Sequence, residues 1–167
     1  MGFQSALIAV GQLRDEGIIS EYAVGGAMAM VFWSEPVATY DLDVFVLMPA
    51  RSGLLVSLAP FYEWAARRAY PVEQEHIVIG GLPVQFIPAH NELAEEAVLE
   101  AVLLDVGEVP VRVIGPEHLI ALYLEPSART RKWLERVAAL LEGGGVDRRR
   151  LDLILDRYGL VLPGDPI

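Results

Sequence analysis

Residues 21–46 constrain this chain more than any other stretch. Glu21–Val24 is a short apolar run, Gly25-Gly26 interrupts it, and Ala27 to Ser34 follows at helical spacing before Pro36. Fifteen residues after Gly26, Asp41-Leu42-Asp43 opens the run Val44-Phe45-Val46. The order is strand, glycine pair, helix, loop, strand. Residues i and i+2 of a strand share a face, so Asp41 and Asp43 stand side by side while Leu42, Val44 and Val46 point the other way. Two carboxylates on one rigid strand repel each other unless a positive charge lies between them, and a divalent cation is the simplest candidate.

The glycines add a second constraint. They let backbone approach a ligand closely and adopt positive φ. The helix start behind them offers unpaired N–H groups and a partial positive charge, which suits a phosphate. Beside a metal held by Asp41 and Asp43, such a turn would hold the phosphates of a nucleoside triphosphate. Mg²⁺ prefers hard oxygen ligands and commonly uses one or two carboxylates plus substrate phosphates. Mn²⁺ takes the same donors. Singly, a Gly-Gly is more often a plain turn and Asp-x-Asp is common at strand starts; the combination is what makes the pattern specific. Thr39 caps the turn into the strand or bonds near the phosphates, and Ser34 has the same two options.

The remaining periodicity outlines an α/β (α+β) chain: a mixed β-sheet with helices packed on it, then a C-terminal helical segment. Helical spacing covers 3–16, 52–69 with Leu54 and Leu55 on its apolar side and a kink expected at Pro60, 91–104, 116–124, 128–142 and 148–158. Strands are expected at 41–48, 74–79, 82–87 and 109–114. Gly80-Gly81 suits a two-residue hairpin turn, which pairs Ile79 with Leu82 and His76 with Gln85. Paired residues share a face, so His76 can approach the carboxylates as ligand or base, the plain alternative being a half-exposed strand histidine; Glu75 points away. Asp147 suits a helix cap and Gly159 a helix stop. One domain over 1–167 is expected, with a mixed core to 114 and helices of 115–162 packed on it.

Composition excludes some classes. The 167 residues carry no cysteine, so there are no disulfides or thiolate metal sites. No apolar run approaches the roughly 20 residues that span a bilayer, and the N-terminus lacks a basic leader, so a cytoplasmic protein is expected. A formal charge of −10 makes the chain a poor general binder of nucleic acid. The two basic clusters, Arg129, Arg131, Lys132 and Arg136, and Arg148 to Arg150, read as solvated helix faces or as local binding patches.

Val-Gly25-Gly26-x-Ala followed by Thr39-x-Asp41-Leu-Asp43-Val resembles the nucleotidyltransferase superfamily of DNA polymerase β type, nearest to small bacterial members related to AbiEii-type toxins and minimal nucleotidyltransferases. Val84 to Pro88, Val109 to Ala121 and Arg129 to Leu160 resemble the later parts of such chains. The resemblance implies a nucleotidyltransferase-like fold and Mg²⁺-dependent transfer of a nucleoside monophosphate from an NTP to an acceptor hydroxyl, on tRNA, a protein or a small molecule. It implies that Asp41 and Asp43 hold metal and that Gly25 and Gly26 contact the triphosphate. The chain departs from the pattern in three ways. Gln85 stands where a third carboxylate is usual, Val37 where an arginine is common, and Tyr123 and Lys132-Trp133 where other charged residues occur. The alternative reading is therefore a weak or inactive member that serves as an interaction module, in a toxin–antitoxin-like pair, with another partner protein or as a homodimer.

Overall fold

The computed structural model describes residues 2–36, 38–50, 56–128 and 130–164. Its elements are α1 (Gly2–Asp15), β1 (Glu21–Val24), α2 (Gly26–Trp33), β2 (Leu42–Leu47), α3 (Ala59–Arg67), β3 (Val72–Glu73), β4 (His76–Ile79), β5 (Leu82–Pro88), α4 (Glu92–Leu99), β6 (Val102–Val106), β7 (Val109–Val113), α5 (Pro116–Leu124), α6 (Arg131–Glu142) and α7 (Arg148–Tyr158). Seven strands form one sheet in the order β3-β4-β5-β2-β1-β7-β6. β1 pairs in parallel with β7, and β2 with β5, while the remaining ladders are antiparallel. This is the mixed sheet with packed helices that the sequence pattern leads one to expect.

β2 lies at the middle of the sheet, and its alternation sets the two faces. Leu42, Val44 and Val46 are fully buried, while Asp43, Phe45 and Leu47 are half-buried. Val44 sits in register with Phe86 of β5. The Phe86 ring stacks on Phe61 of α3 at 5.0 Å between centroids, so α3 covers the face turned away from Asp43. The tight turn at Gly80-Gly81 has both φ angles positive, 59° and 82°, as a two-residue hairpin needs. It pairs Ile79 with Leu82 and His76 with Gln85, as expected.

Several boundaries differ from the periodicity. The helix expected over 91–104 ends at Leu99, and 102–106 form edge strand β6. Gly107, at φ 63°, closes a second two-residue hairpin that pairs Val106 with Val109. Pairing with β7 satisfies the backbone of 102–106, and only Leu103 and Asp105 of that stretch are exposed, a period of two. The helix expected over 52–69 occupies 59–67. Pro60 lies in its first turn, where no N–H is needed, so it starts the helix instead of kinking it. Leu54 and Leu55 lie outside the described residues, as do Val37 and Arg129. The helix expected from 128 begins at Arg131, because the Thr130 side chain caps the Trp133 N–H. β3 is a two-residue strand too short for a periodic signal.

The C-terminal helices hold together through polar pins as well as apolar contact. Asp147 caps α7 by accepting from the N–H groups of Arg149 and Arg150, and Gly159 ends it at φ 63°. All nine residues of α5 are buried. Glu117 of α5 accepts from the Asp147 N–H at 2.7 Å, tying the start of α5 to the start of α7.

Candidate functional site

The glycine pair is required where it stands. Gly25 donates its N–H to the Asp43 carbonyl at 2.9 Å, and a Cβ on Gly25 would meet the Phe45 ring at 2.5 Å. Gly26 has φ 57°, and a Cβ there would lie 2.0 Å from Asp43 Oδ2. Only bare backbone fits between the start of α2 and β2. The Asp43 carboxylate is thereby seated directly against the first residue of α2.

Asp41 immediately precedes β2. The Thr39 hydroxyl contacts its Oδ1 at 2.9 Å and its carbonyl at 3.1 Å, so this side chain fixes the turn into the strand. Asp41 is 44% exposed, whereas Asp43 is more enclosed. Burial and then the neighbouring Asp41 charge push the Asp43 carboxyl above its ordinary pKa, and Arg136 and His76 pull against that rise. Among the described residues no side chain hydrogen-bonds to the Asp43 carboxylate. A proton or an added cation is what its surroundings favour.

Register continues the site across the sheet. Asp43 pairs with Gln85, Gln85 with His76, and His76 with Glu73. These four residues form one row on one face, with Gln85 between His76 and the aspartates. His76 Nε2 lies 3.8 Å from Asp41 Oδ2. Glu75 borders Phe61 and Tyr62 on the other face. Ser34 is not part of this row. It sits at the opposite end of α2, about 12 Å of helix away, and its hydroxyl donates to the Met30 and Glu35 carbonyls.

Beside Asp43 and Gly26 a cavity of about 190 Å³ opens between the sheet and the C-terminal helices. Phe45, Ile87 and His90 line it from the sheet side, with Leu119, Leu122 and Tyr123 of α5 and Trp133 of α6 opposite. The Tyr123 and Trp133 rings lie 4.6 Å apart. The Arg136 guanidinium lies over both, 5.1 Å from the Trp133 centroid and 5.7 Å from that of Tyr123. Burial pushes the Tyr123 hydroxyl up to about 12, against the pull of Arg136 beside it. The hydroxyl makes no well-formed hydrogen bond among the described residues.

Sequence reasoning missed Arg136. Within a basic cluster it reads as surface, and Arg131, at 94% exposure, does pair with Glu135 in solvent. Arg136 is half-buried and faces inward. Arg136 of α6 thus brings a cation beside Tyr123 of α5. The spacing of Trp133 and Arg136, three apart on one helix face, is the signal that was legible.

A different group of potential ligands lies elsewhere. Among the described residues, Glu96, Glu100 and His118 bring three ligand atoms within 4.8 Å of one another. Their oxygens already have partners. Glu96 accepts from His118 Nε2 at 3.1 Å, from the Tyr158 hydroxyl at 2.6 Å and from Arg157 at 2.6 Å, and Glu100 pairs with Arg150 at 2.8 Å. Arg157 and Arg150 supply the positive charge a metal would bring, so the cluster joins α4, α5 and α7 as an ion-pair network. Asp41 and Asp43, with the Gln85 amide oxygen, offer hard oxygen donors, and among the described residues no Lys or Arg forms an ion pair with either carboxylate, a donor set that fits Mg²⁺.

No helix among the described residues is long and apolar enough to cross a membrane. No protein-family model matches the chain, and no curated protein does. Solved structures do match. The antibiotic-resistance factor ANT(2'')-Ia in solution aligns with a TM-score of 0.52 at 17% identity, over 95% of this chain and 93% of that one. ANT(2'')-Ia in complex with adenylyl-2''-tobramycin aligns at 0.54 and 14% identity, over 95% and 98%. An antigenic nucleotidyltransferase-like protein from Paracoccidioides brasiliensis aligns at 0.56 and 12% identity, over 94% and 87%. At these identities the likeness is one of fold, spanning nearly the whole length of each partner. Sheet order, helix placement and these neighbours agree: the chain has a nucleotidyltransferase-like fold.

Proposed function

We propose that this chain is a Mg²⁺-dependent nucleotidyltransferase that transfers a nucleoside monophosphate from an NTP to an acceptor hydroxyl. The observation that carries this reading is the Asp43 carboxylate: enclosed, without a side-chain hydrogen bond among the described residues, beside Asp41 and against the first residue of α2. On this reading Asp41 and Asp43 hold the metal, which neutralises triphosphate charge, and Mn²⁺ substitutes for Mg²⁺. Thr39 orients Asp41. Gly25 and Gly26 let phosphate oxygens approach the free N–H groups of the first turn of α2. Positioning and charge neutralisation are most of what such transfers require. Gln85 offers an amide oxygen but cannot accept the hydroxyl proton, so His76, next to it in the row, takes that proton. Ser34 is outside this assignment. The unit is one domain over 1–167, because fully buried α5 packs on α2 and α4 as well as on the last two helices.

The acceptor is a tRNA, a protein or a small molecule. The adenylyl-tobramycin carried by one fold neighbour makes an amino-sugar hydroxyl a concrete first test. A cytoplasmic setting and a toxin–antitoxin role are the finer form of the same reading. The deciding experiment measures Mg²⁺·NTP binding by calorimetry and label transfer from NTPs, in the wild type and in Asp41→Asn with Asp43→Asn. Metal-dependent binding that the double substitution abolishes supports the reading; identical behaviour of the two proteins ends it.

One observation favours a second reading. Gln85 occupies the register position beside Asp43, so the row holds no third carboxylate near the pair. On that reading the fold serves as an interaction module, in a homodimer or with a partner protein. Mg²⁺·NTP binding without turnover on any acceptor, together with a dimer by light scattering, would favour it.

A further inference from the structure

A second cavity lies at the opposite end of α2 from Asp43. Its volume is about 640 Å³, against about 190 Å³ beside Asp43, which is room for a small organic ligand. Two helix C-termini wall it, with Phe32, Trp33, Ser34 and Glu35 on one side and Glu142 and Gly143 on the other. The two ends meet closely. A Cβ on Gly143 would lie 2.6 Å from the Trp33 carbonyl oxygen, so only glycine lets α6 stop against the end of α2.

Positive charge is missing where these ends converge. Carbonyl groups at a helix C-terminus lack intrahelical donors and carry a partial negative charge. α1, α3 and α7 offset it with Arg14, Arg67 and Arg157 in their last turns. α2 and α6 have no basic residue there, and no lysine or arginine lines the cavity. Each end adds a carboxylate instead, Glu142 at the last position of α6 and Glu35 just past α2. Among the described residues neither carboxylate has an ion-pair partner within 4 Å. Two helix ends and two carboxylates from separate elements thus face one space with nothing to neutralise them.

The rest of the wall selects the kind of cation. The Trp33 indole N–H donates to the Ile114 carbonyl at 2.8 Å, which holds the ring in place. Half-buried Phe32 and Trp33 offer apolar surface and π faces, which favour an alkylammonium ion. A hydrated Mg²⁺ gains little from such rings and asks for near-octahedral oxygen donors. The Ser34 hydroxyl spends its proton on the Met30 or Glu35 carbonyl, leaving its oxygen as an acceptor.

We propose that this cavity binds a small linear polyamine, with ammonium groups at Glu35 and Glu142 and the methylene chain along the Phe32 and Trp33 rings. The site is separate from the Asp41 and Asp43 pair and stands whether or not the transferase reading does.

The test is calorimetric titration with spermidine of wild type, Glu35→Gln, Glu142→Gln, Glu95→Gln and Asp41→Asn with Asp43→Asn. Glu95 is an exposed carboxylate of α4 outside the cavity, so its replacement changes net charge alone. Wild type binds spermidine saturably, and Glu35→Gln and Glu142→Gln each weaken it about three- to tenfold, the loss expected for a partly exposed charge-assisted contact. Glu95→Gln and the double aspartate variant match wild type, and excess Mg²⁺ does not displace the amine. Absence of saturable binding overturns the proposal. Equal weakening by Glu95→Gln overturns it as well, since that marks general attraction to an acidic chain. Loss in the double aspartate variant would put the amine at the other site, and displacement by Mg²⁺ would make this a metal site; either result sinks the polyamine assignment. Glu35 and Glu142 are exposed, so their glutamine variants keep the fold, which cooperative melting checks.

Discussion

Replacing Glu96 with glutamine should cost about 2–3 kcal/mol at neutral pH, and the cost should disappear in acid. Glu96 is 17% exposed. Burial pushes its carboxyl up, but hydrogen bonds from Tyr158, His118 and Arg157, and the charge of Arg157, outweigh this and bring it from 4.5 down to about 2. A carboxyl displaced that far stabilises the folded state by about 3 kcal/mol at roughly 1.4 kcal/mol per pKa unit, trimmed by solvent at the exposed edge of the pair. The sign follows from the lowered folded value. The contribution is complete above the unfolded value of 4.5 and is lost as pH falls from there towards about 2. Urea unfolding of wild type and Glu96→Gln at pH 7, 5.5, 4.5 and 3.5 measures it, with a melting difference of about 4–10 °C at pH 7. A gap that stays constant across this range would refute the argument, because glutamine differs from glutamate here chiefly in charge. A gap that opens only when Mg²⁺ or Zn²⁺ is added would show that Glu96, Glu100 and His118 bind metal instead of joining helices. The outcome bears on the cavity beside Asp43, since α5, which this network anchors through His118, also carries Tyr123 of its lining.

Two further outcomes follow from the site itself. Asp43→Asn should stabilise the metal-free protein by about 0.5–2 kcal/mol at pH 7, because the folded state raises this carboxyl above its ordinary 3.8 and so disfavours its charge. The stabilisation grows as pH rises through the folded value and vanishes near pH 3, where both states are protonated; destabilisation at pH 7 in chemical denaturation would contradict it. Gly26→Ala should lower stability by at least ~1–2 kcal/mol, since φ 57° strains any L side chain and the new methyl meets the Asp43 carboxylate. Unchanged melting of that variant would show that α2 can shift away from β2, and with it that the seating of Asp43 is not rigid.

Much of the site was legible because its signals are local. Gly25-Gly26 and Asp41-Leu42-Asp43 mark backbone and strand geometry within a few residues of themselves. The hairpin register that puts His76 opposite Gln85 follows from the Gly80-Gly81 turn alone. Caps such as Asp147 and stops such as Gly159 are equally local, and α5 and α7 fall where their signals predict. Errors came where short-range pattern competes with pairing. Residues 102–104 continue an apolar helical run, yet β7 recruits them, since an edge strand takes its hydrogen bonds from its neighbour and not from its own sequence. Ser34 proves to stand at the opposite end of α2 from Gly26, a separation set by the length of that helix.

Local sequence thus determined the glycine pair, the two aspartates, the hairpin and the order of elements, because each rests on steric rules spanning a handful of residues. Only the tertiary structure decided what surrounds Asp43. The seating of its carboxylate against Gly26 depends on how α2 crosses β2. Arg136, more than ninety positions along the chain, reaches its neighbourhood because α5 and α6 pack together, and half-burial over the Trp133 and Tyr123 rings sets it apart from the exposed members of its basic cluster. Charge and dielectric around a group are properties of the packed molecule, and no window of sequence contains them.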